Sequence, residues 1–166
     1  MSAFGRAVRG TMLGVSAAGL LAAGAVNPPA SAQTVDKKTL SFQAATRVAA
    51  AAEAAARERG VGVVIAVVDD GGHLILLHRL DDTQVASVNV GIGKARTAAI
   101  YRRPSREFEE QIRAGRVAAL ALADATPLQG GVPIRLDGKV IGAVGVSGDT
   151  PAVDEAIALA GAAALR

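Results

Sequence analysis

The segment that most constrains the fold is residues 63–79, VVIAVVDDGGHLILLHR, in which two apolar runs flank a short polar centre. The Asp-Asp-Gly-Gly centre at 69–72 is typical of a tight reversal, because these residue types tolerate positive φ angles. Residues 63–68 are mostly β-branched, and residues 74–77 are apolar without alternation. Both patterns predict strands that are covered on both faces. A hairpin this apolar is unstable alone in water, so helices or a second subunit must cover it.

The first 32 residues have the three regions of a cleavable secretory signal. Arg6 and Arg9 give a positive start, residues 11–26 are small or apolar, and Ala-Ser-Ala at 30–32 is the A-x-A site that signal peptidase prefers. We therefore predict cleavage before Gln33 and a secreted or periplasmic protein without stable membrane insertion. The alternative is an N-terminal membrane anchor, but the stretch is short and rich in Gly and Ala for a span.

After this cleavage, residues 33–39 would form a flexible leader and residues 40–166 a single domain. The signal contains two arginines and no acid, so the formal net charge falls from +3 to +1 when it is removed. This charge, with only Phe42, Tyr101 and Phe108 as aromatic residues, predicts no nucleic-acid partner. The chain has no cysteine, and both methionines lie in the signal, which excludes thiolate catalysis and sulfur ligands in the mature protein.

The remaining patterns predict an α/β (α+β) fold with a central, mainly antiparallel, five-stranded sheet packed with helices. Ser41 is a good cap for a first helix that ends at Gly60, and Asp82 is the expected cap of a second helix that Pro104 ends. Thr150 and Pro151 start the last helix. The order α-β-β-α-α-β-β-β-α follows from helices at 42–59, 83–103, 106–113 and 152–165 and strands at 63–68, 74–77, 126–129, 132–136 and 139–146.

Several glycines lie inside these predicted elements. Gly91 and Gly93 each cost about 1 kcal/mol in a helix interior, so a close approach there must favour them. Gly142 and Gly145 in the last strand likewise predict that another backbone, side chain or ligand comes close.

The two histidines are the first candidates for chemistry. His73 and His78 lie five residues apart, an odd spacing that places them on opposite faces of a strand, so they are not expected to bind one metal together. His73 is either a turn residue bonded to local backbone, or an axial ligand or general base at a pocket mouth.

Two further stretches could bind an anion. Lys94, Thr97 and Tyr101 share one helix face with Arg96 and Arg102 nearby, although a solvated basic helix end explains the same pattern. The strand-to-helix run at 146–150 presents free N–H groups to carboxylates, although a capping turn is the simpler interpretation.

Three separated motifs resemble the GlcG/HbpS family of haem-binding proteins. They are AVVDDGGHLILLHRLD, NVGIGKARTAAIYRRPS and QGGVPIRLDGKVIGAVGVSGDTPAVDEAIALAG, which together extend over nearly all of residues 40–161. The resemblance implies a profilin-like fold, assembly into dimers or larger homo-oligomers, binding of haem or related tetrapyrroles, and a tie to domains fused to corrinoid adenosyltransferases.

The family motifs also assign site residues by position. The GGH turn corresponds to residues 71–73, the K-A-x-T-A helix to residues 94–98 and the G-V-S-G turn to residues 145–148. From the residues themselves, the candidate axial ligands of a haem are His73, the weaker His78, Tyr101 and Lys94, and the nearby cations are Arg96, Arg102 and Arg103. This chain departs from the pattern in having Leu80, rather than a methionine, after Arg79. The full set of candidate ligand-binding residues is His73, Lys94, Arg96, Thr97, Tyr101, Arg102, Gly131, Ser147 and Gly148.

Three functions follow as hypotheses. The leading one is an exported haem- or tetrapyrrole-binding protein for scavenging, transport or sensing, with binding expected before turnover because strong ligands are few. The rival is an enzyme or binding protein for a small anionic metabolite, such as a carboxylate, between the Lys94 helix and the Ser147 turn. The third is a structural partner subunit without a ligand.

Overall fold

The computed structural model describes residues 34–165. The predicted signal segment lies outside the described residues, and the compact unit that contains all helices and strands described below begins at Lys37. Its elements in chain order are α1 (Phe42–Glu58), β1 (Val64–Asp69), β2 (Leu74–Arg79), α2 (Ser87–Ile100), α3 (Arg106–Arg113), a short 3-10 helix (Val117–Ala121), β3 (Gly131–Leu136), β4 (Lys139–Ser147) and α4 (Pro151–Ala163).

Four antiparallel strands form one sheet in the order β2-β1-β4-β3. The predicted antiparallel α+β architecture is confirmed, but the fifth strand at 126–129 is wrong for the part of the chain described. Thr126 donates its N–H to the Thr97 hydroxyl at 2.7 Å, and Leu128 donates to the Thr126 carbonyl at 2.8 Å. These two bonds, with a proline between Thr126 and Leu128, use backbone groups that a strand would need for its neighbour.

The sheet is covered on both faces. Helices α1 and α4 lie on one face with Ile65 and Val67 of β1, and helix α2 lies on the other with Ala66 and Val68. All four of these β1 side chains are fully buried, which confirms the prediction of a doubly covered strand. The same prediction is wrong for β2, because this strand is at the sheet edge and its side chains are only partly buried.

The N-terminal ends of α1 and α4 are capped as predicted, and that of α2 is not. Ser41 accepts a hydrogen bond from the Ala44 N–H at 3.2 Å, and Thr150 accepts one from Val153 at 3.4 Å, as expected for N-caps. Asp82 is not the cap of α2, because its φ angle is +60° and the helix begins five residues later. None of the helices in the described range is long and apolar enough to cross a membrane.

Small residues let α2 lie directly on β4. A Cβ atom added at Gly145 would clash with the Gly91 carbonyl oxygen and would lie 2.5 Å from the Ala95 nitrogen. One added at Gly93 would clash with the Thr126 hydroxyl. The close approaches predicted from these glycines are therefore present, and they bring α2 against the sheet backbone.

Candidate functional site

A groove of about 660 Å³ opens where the end of α1 meets the end of β2. The two ends meet because α1 leads into β1 through Gly60, which has a φ angle of +66°, and because β2 runs antiparallel to β1 with Arg79 opposite Val64. The charged and imidazole side chains that line the groove are Glu53, Arg57, His78, Arg79, Asp81 and Asp82. A cavity of this size is in the range of ordinary small-molecule and cofactor sites.

His78 is held in this groove by a carboxylate from α1. Its Nδ1 atom lies 2.8 Å from Oε2 of Glu53, and Cα pairing with Ile65 puts it on the sheet face that α1 covers. Because an ionised carboxylate only accepts hydrogen bonds, Nδ1 bears the proton of this contact, and in a neutral ring Nε2 then carries the lone pair. The His78 side chain is 36% exposed, so that a ligand can reach it.

Glu53 is itself held by Arg57 on the next helical turn. Arg57 donates from Nε at 2.9 Å and from Nη2 at 2.6 Å, both to Oε1 of Glu53. The hydrogen bond from Arg57, and then that from His78, lower the pKa of Glu53 against the opposing effect of partial burial. The groove therefore contains an ionised carboxylate with one oxygen facing each partner.

From the sequence alone, His78 was a weaker candidate ligand than His73, and Glu53 was not predicted as a site residue. The only signal for Glu53 was its i,i+4 spacing to Arg57, which is common on exposed helices. Its contact with His78 spans 25 residues and depends on how α1 packs on the sheet, which residue spacing does not determine.

His73 lies at the opposite end of the hairpin from this groove, in the turn before β2. Its side chain is 83% exposed, and its Nδ1 atom is 3.3 Å from Oδ2 of Asp69. The other Asp69 oxygen accepts the backbone N–H groups of Gly71 and His73, both at 2.9 Å. His73 therefore lies in the turn, and its side chain contacts the Asp69 carboxylate rather than the local backbone that one interpretation expected.

Lys94 is not at a solvated helix end, as one interpretation proposed. Its Nζ atom lies 2.7 Å from Oδ2 of Asp154 and 3.0 Å from the Val146 carbonyl oxygen, with both charged side chains almost fully buried. Burial raises the pKa of Asp154, and the hydrogen bond from Lys94 only partly offsets it. The pair joins α2, β4 and α4 in the position where the rival hypothesis placed a metabolite.

The other predicted site residues on α2 make structural contacts. Arg96 donates to the Gly72 carbonyl at 3.2 Å, which brings it to the turn that contains His73. Thr97 bonds to the Gly93 carbonyl, and the Tyr101 hydroxyl donates to the Ala123 carbonyl at 2.7 Å. The Arg96 and Tyr101 bonds join this part of the chain to neighbouring loops, whereas the bond from Thr97 to Gly93 is internal to α2.

The remaining predicted residues are also engaged by the protein. The backbone carbonyl of Arg102 accepts a bond from Arg135 at 2.6 Å, and the Gly131 N–H donates to the Ser105 hydroxyl at 2.8 Å. Ser147 is buried with its hydroxyl 3.4 Å from that of Ser87, and a Cβ at Gly148 would lie 2.5 Å from the Gly62 carbonyl oxygen. The predicted set therefore does not form one cluster. His73 and Arg96 lie at the hairpin turn, Lys94 lies in the buried ion pair, and Tyr101 and Arg102 contact other segments.

Metal ligation by protein groups alone has little support in the part of the chain described. Within residues 34–165, no three His, Cys, Asp or Glu side chains come together in a way that could hold a metal ion. A metal at His78 would therefore have to bring most of its other ligands with it.

The chain matches a family model described as "Haem degrading protein HbpS-like" over residues 40–163. It is 46% identical to the protein GlcG of Escherichia coli K12 over 111 residues, which are 67% of this chain and 83% of GlcG. Among solved structures it is similar to HbpS, with a TM-score of 0.77, 31% identity and coverage of 81% of this chain and 96% of that one. It is also similar to PduOC, solved as a haem complex, with a TM-score of 0.69, 27% identity and coverage of 76% and 94%.

Proposed function

The chain belongs to the HbpS-like family, and from this premise we propose that it binds haem or a related tetrapyrrole in the groove beside His78. The observation that supports this site is the imidazole of His78, which lines a groove of about 660 Å³ and uses Nδ1 for Glu53, so that Nε2 is the ring nitrogen left for a ligand. A neutral imidazole is a common axial ligand of haem iron. The solved haem complex of the relative PduOC adds support for the ligand class.

The groove offers an imidazole for the iron and two arginines for the propionates of a haem, with Val61 and Leu80 as the apolar side chains of its lining. Haem brings an iron that already has four nitrogen ligands, so one protein nitrogen suffices, in agreement with the scarcity of other ligands in the described range. Arg57 and Arg79 line the same groove and can pair with propionate groups. The Arg57 side chain is 68% exposed, so N–H groups that do not contact Glu53 can reach a ligand.

Asp81 and Asp82 add negative charge to the rim of the groove. Arg57 and Arg79 would therefore hold the propionates of a bound haem, because a carboxylate next to these aspartates would be repelled. An open, partly polar groove favours reversible binding, as expected for scavenging, transport or sensing, over a buried catalytic haem.

The same two arginines favour a second candidate, which is a small carboxylate metabolite bound in this groove rather than beside Lys94. A thermal-shift comparison separates the two, since a ligand that binds the folded state raises the melting temperature. Stabilisation by carboxylates without any effect of haem would support the metabolite. No stabilisation by either would support the third hypothesis of a subunit without a ligand.

The decisive experiment is a haem titration followed by absorbance, with His78→Ala and His73→Ala as a matched pair. We expect the wild type and His73→Ala to give the same Soret band, and His78→Ala to lose it or shift it. An unchanged band in His78→Ala would contradict the site. Loss in His73→Ala alone would move the haem to the hairpin turn, and no band at micromolar haem in the wild type would contradict the function.

We also propose export by the N-terminal signal, self-association, and the profilin-like description of the fold, which the sequence and the family resemblance support. Export predicts a mature protein that begins at Gln33, and N-terminal sequencing of the protein recovered from the periplasm or medium tests it. Recovery of the full chain inside the cell would contradict it.

A further inference from the structure

Resting on the proposed function, we propose that Glu53 is a positioning residue for the haem ligand. Its carboxylate holds the His78 imidazole in the tautomer that leaves Nε2 free, and Arg57 in turn holds the carboxylate. A carboxylate behind a ligating histidine fixes the ring and makes the distal nitrogen a stronger donor. Glu53 would act only through His78, without contacting the haem itself.

The two oxygens of the Glu53 carboxylate have different partners, which supports this role. Both hydrogen bonds from Arg57 go to Oε1 of Glu53, and the bond to His78 uses Oε2 alone. An i,i+4 ion pair on an exposed helix explains the Arg57 contact but not the second one, which crosses from α1 to the edge strand. The arginine therefore orients the carboxylate so that one oxygen remains for the imidazole.

Both ends of this contact are on rigid elements. Ala49, Ala52 and Ala56 of α1, on either side of Glu53 in sequence, are fully buried in the core. His78 is paired with Ile65, a fully buried residue of the central strand β1. The 2.8 Å contact thus joins two fixed backbones, a geometry suited to hold a ring in one orientation.

The test compares Glu53→Ala, Glu53→Gln and the matched control Glu58→Gln, which removes an exposed charge from the same helix. Three readouts are used: the apparent Kd for haem, the midpoint reduction potential of the bound iron, and the His78 tautomer in the haem-free protein by ¹⁵N NMR at a pH of about 8, above the ordinary imidazole value. Thermal unfolding establishes that each variant is folded at the measuring temperature.

We expect Glu53→Ala to weaken haem binding by roughly 10- to 100-fold and to lose the preference for the Nδ1–H tautomer. Glu53→Gln keeps an acceptor oxygen but not the charge, so it should retain more affinity while the reduction potential still rises. The Glu58→Gln control should match the wild type in all three readouts.

The outcomes separate this inference from the function on which it rests. If His78→Ala abolishes the haem spectrum while both Glu53 variants match the wild type, haem binding at His78 stands and the positioning role is overturned. An unchanged His78 tautomer in Glu53→Ala overturns it without any haem present. If the wild type binds no haem, the proposed function fails, and the positioning role fails with it.

Discussion

Two histidines on one hairpin differ in what their Nδ1 atoms contact and in how far solvent reaches them. Asp69, the acid beside His73, also accepts two backbone N–H groups and so belongs to the turn. Glu53, the acid beside His78, has no backbone partner in its contacts with Arg57 and His78. The turn accounts for the Asp69 carboxylate, because the backbone bonds to it stabilise the reversal. The Glu53 carboxylate bonds only to side chains that line the groove, and ligand binding accounts for it.

Asp70, in the same turn as His73, leads to a prediction about acid stability. Its carboxylate pairs with Lys37 at 2.5 Å and accepts from the Thr39 hydroxyl at 3.0 Å. Partial burial opposes ionisation, but these two partners prevail and lower the pKa of Asp70 below its usual 3.8. The unfolded state therefore binds more protons in this region, so Asp70 stabilises the fold above that value and the contribution is lost as the pH falls through the lowered pKa.

Asp70→Asn should accordingly lower stability at neutral pH and flatten the acid side of the stability curve. Urea unfolding from neutral pH down to about pH 3 measures both effects. The control is Asp137→Asn. Asp137 lies in the turn between β3 and β4, and its exposed carboxylate pairs with Lys38, so this variant should change the stability little at any pH. An acid limb in Asp70→Asn as steep as that of the wild type would contradict the prediction.

At the scale of elements, the sequence predicted local features and missed contacts between distant ones. Features that depend on neighbouring residues or on the absence of a side chain were predicted and are present. They are the β1–β2 hairpin, the caps Ser41 and Thr150, and the close approach at Gly145. The partner of Lys94 is 60 residues away, and that of His78 is 25. Spacing within one element cannot give such contacts, because they depend on how the helices pack over the sheet.

The number of strands was overestimated for a related reason. Residues 126–129 precede a glycine pair and are followed by a true strand, so local pattern favoured another strand there. The Thr97 hydroxyl of α2 accepts the Thr126 N–H and holds the segment as a loop. The tertiary contact thus overrides a weak strand preference.

The Lys94–Asp154 pair gives the prediction at this scale. Either Lys94→Met or Asp154→Asn leaves one buried group without its charged partner and should lower the free energy of unfolding by about 3–5 kcal/mol. The double variant should lose less than the sum of the two, because neither charge remains. Urea unfolding of all four proteins gives the coupling energy, and strict additivity would show that the pair does not fasten α2 to α4.

At the scale of the whole molecule, the two edges of the sheet differ in their protection. Strand β3 contains Pro133, which lacks an N–H group to donate to a further strand, whereas a register shift is present in the pairing of both edge strands. Strand β2 begins with four apolar residues, is only partly buried, and pairs with β1 alone among the described strands. The β2 edge is therefore the side on which we expect a second copy to pair.

Leu74 and Leu136 provide a matched test of this self-association, since they are 46% and 40% exposed and belong to opposite edge strands. A lysine on an unprotected edge should prevent strand pairing through the cost of burying its charge, so Leu74→Lys should shift the oligomer toward the monomer in light scattering. Leu136→Lys should leave the mass unchanged. If both variants keep the wild-type mass, the assembly uses another surface, and a monomeric wild type would contradict self-association altogether.

Because His78 is on β2, haem affinity should fall in Leu74→Lys only if the second copy also helps to close the groove.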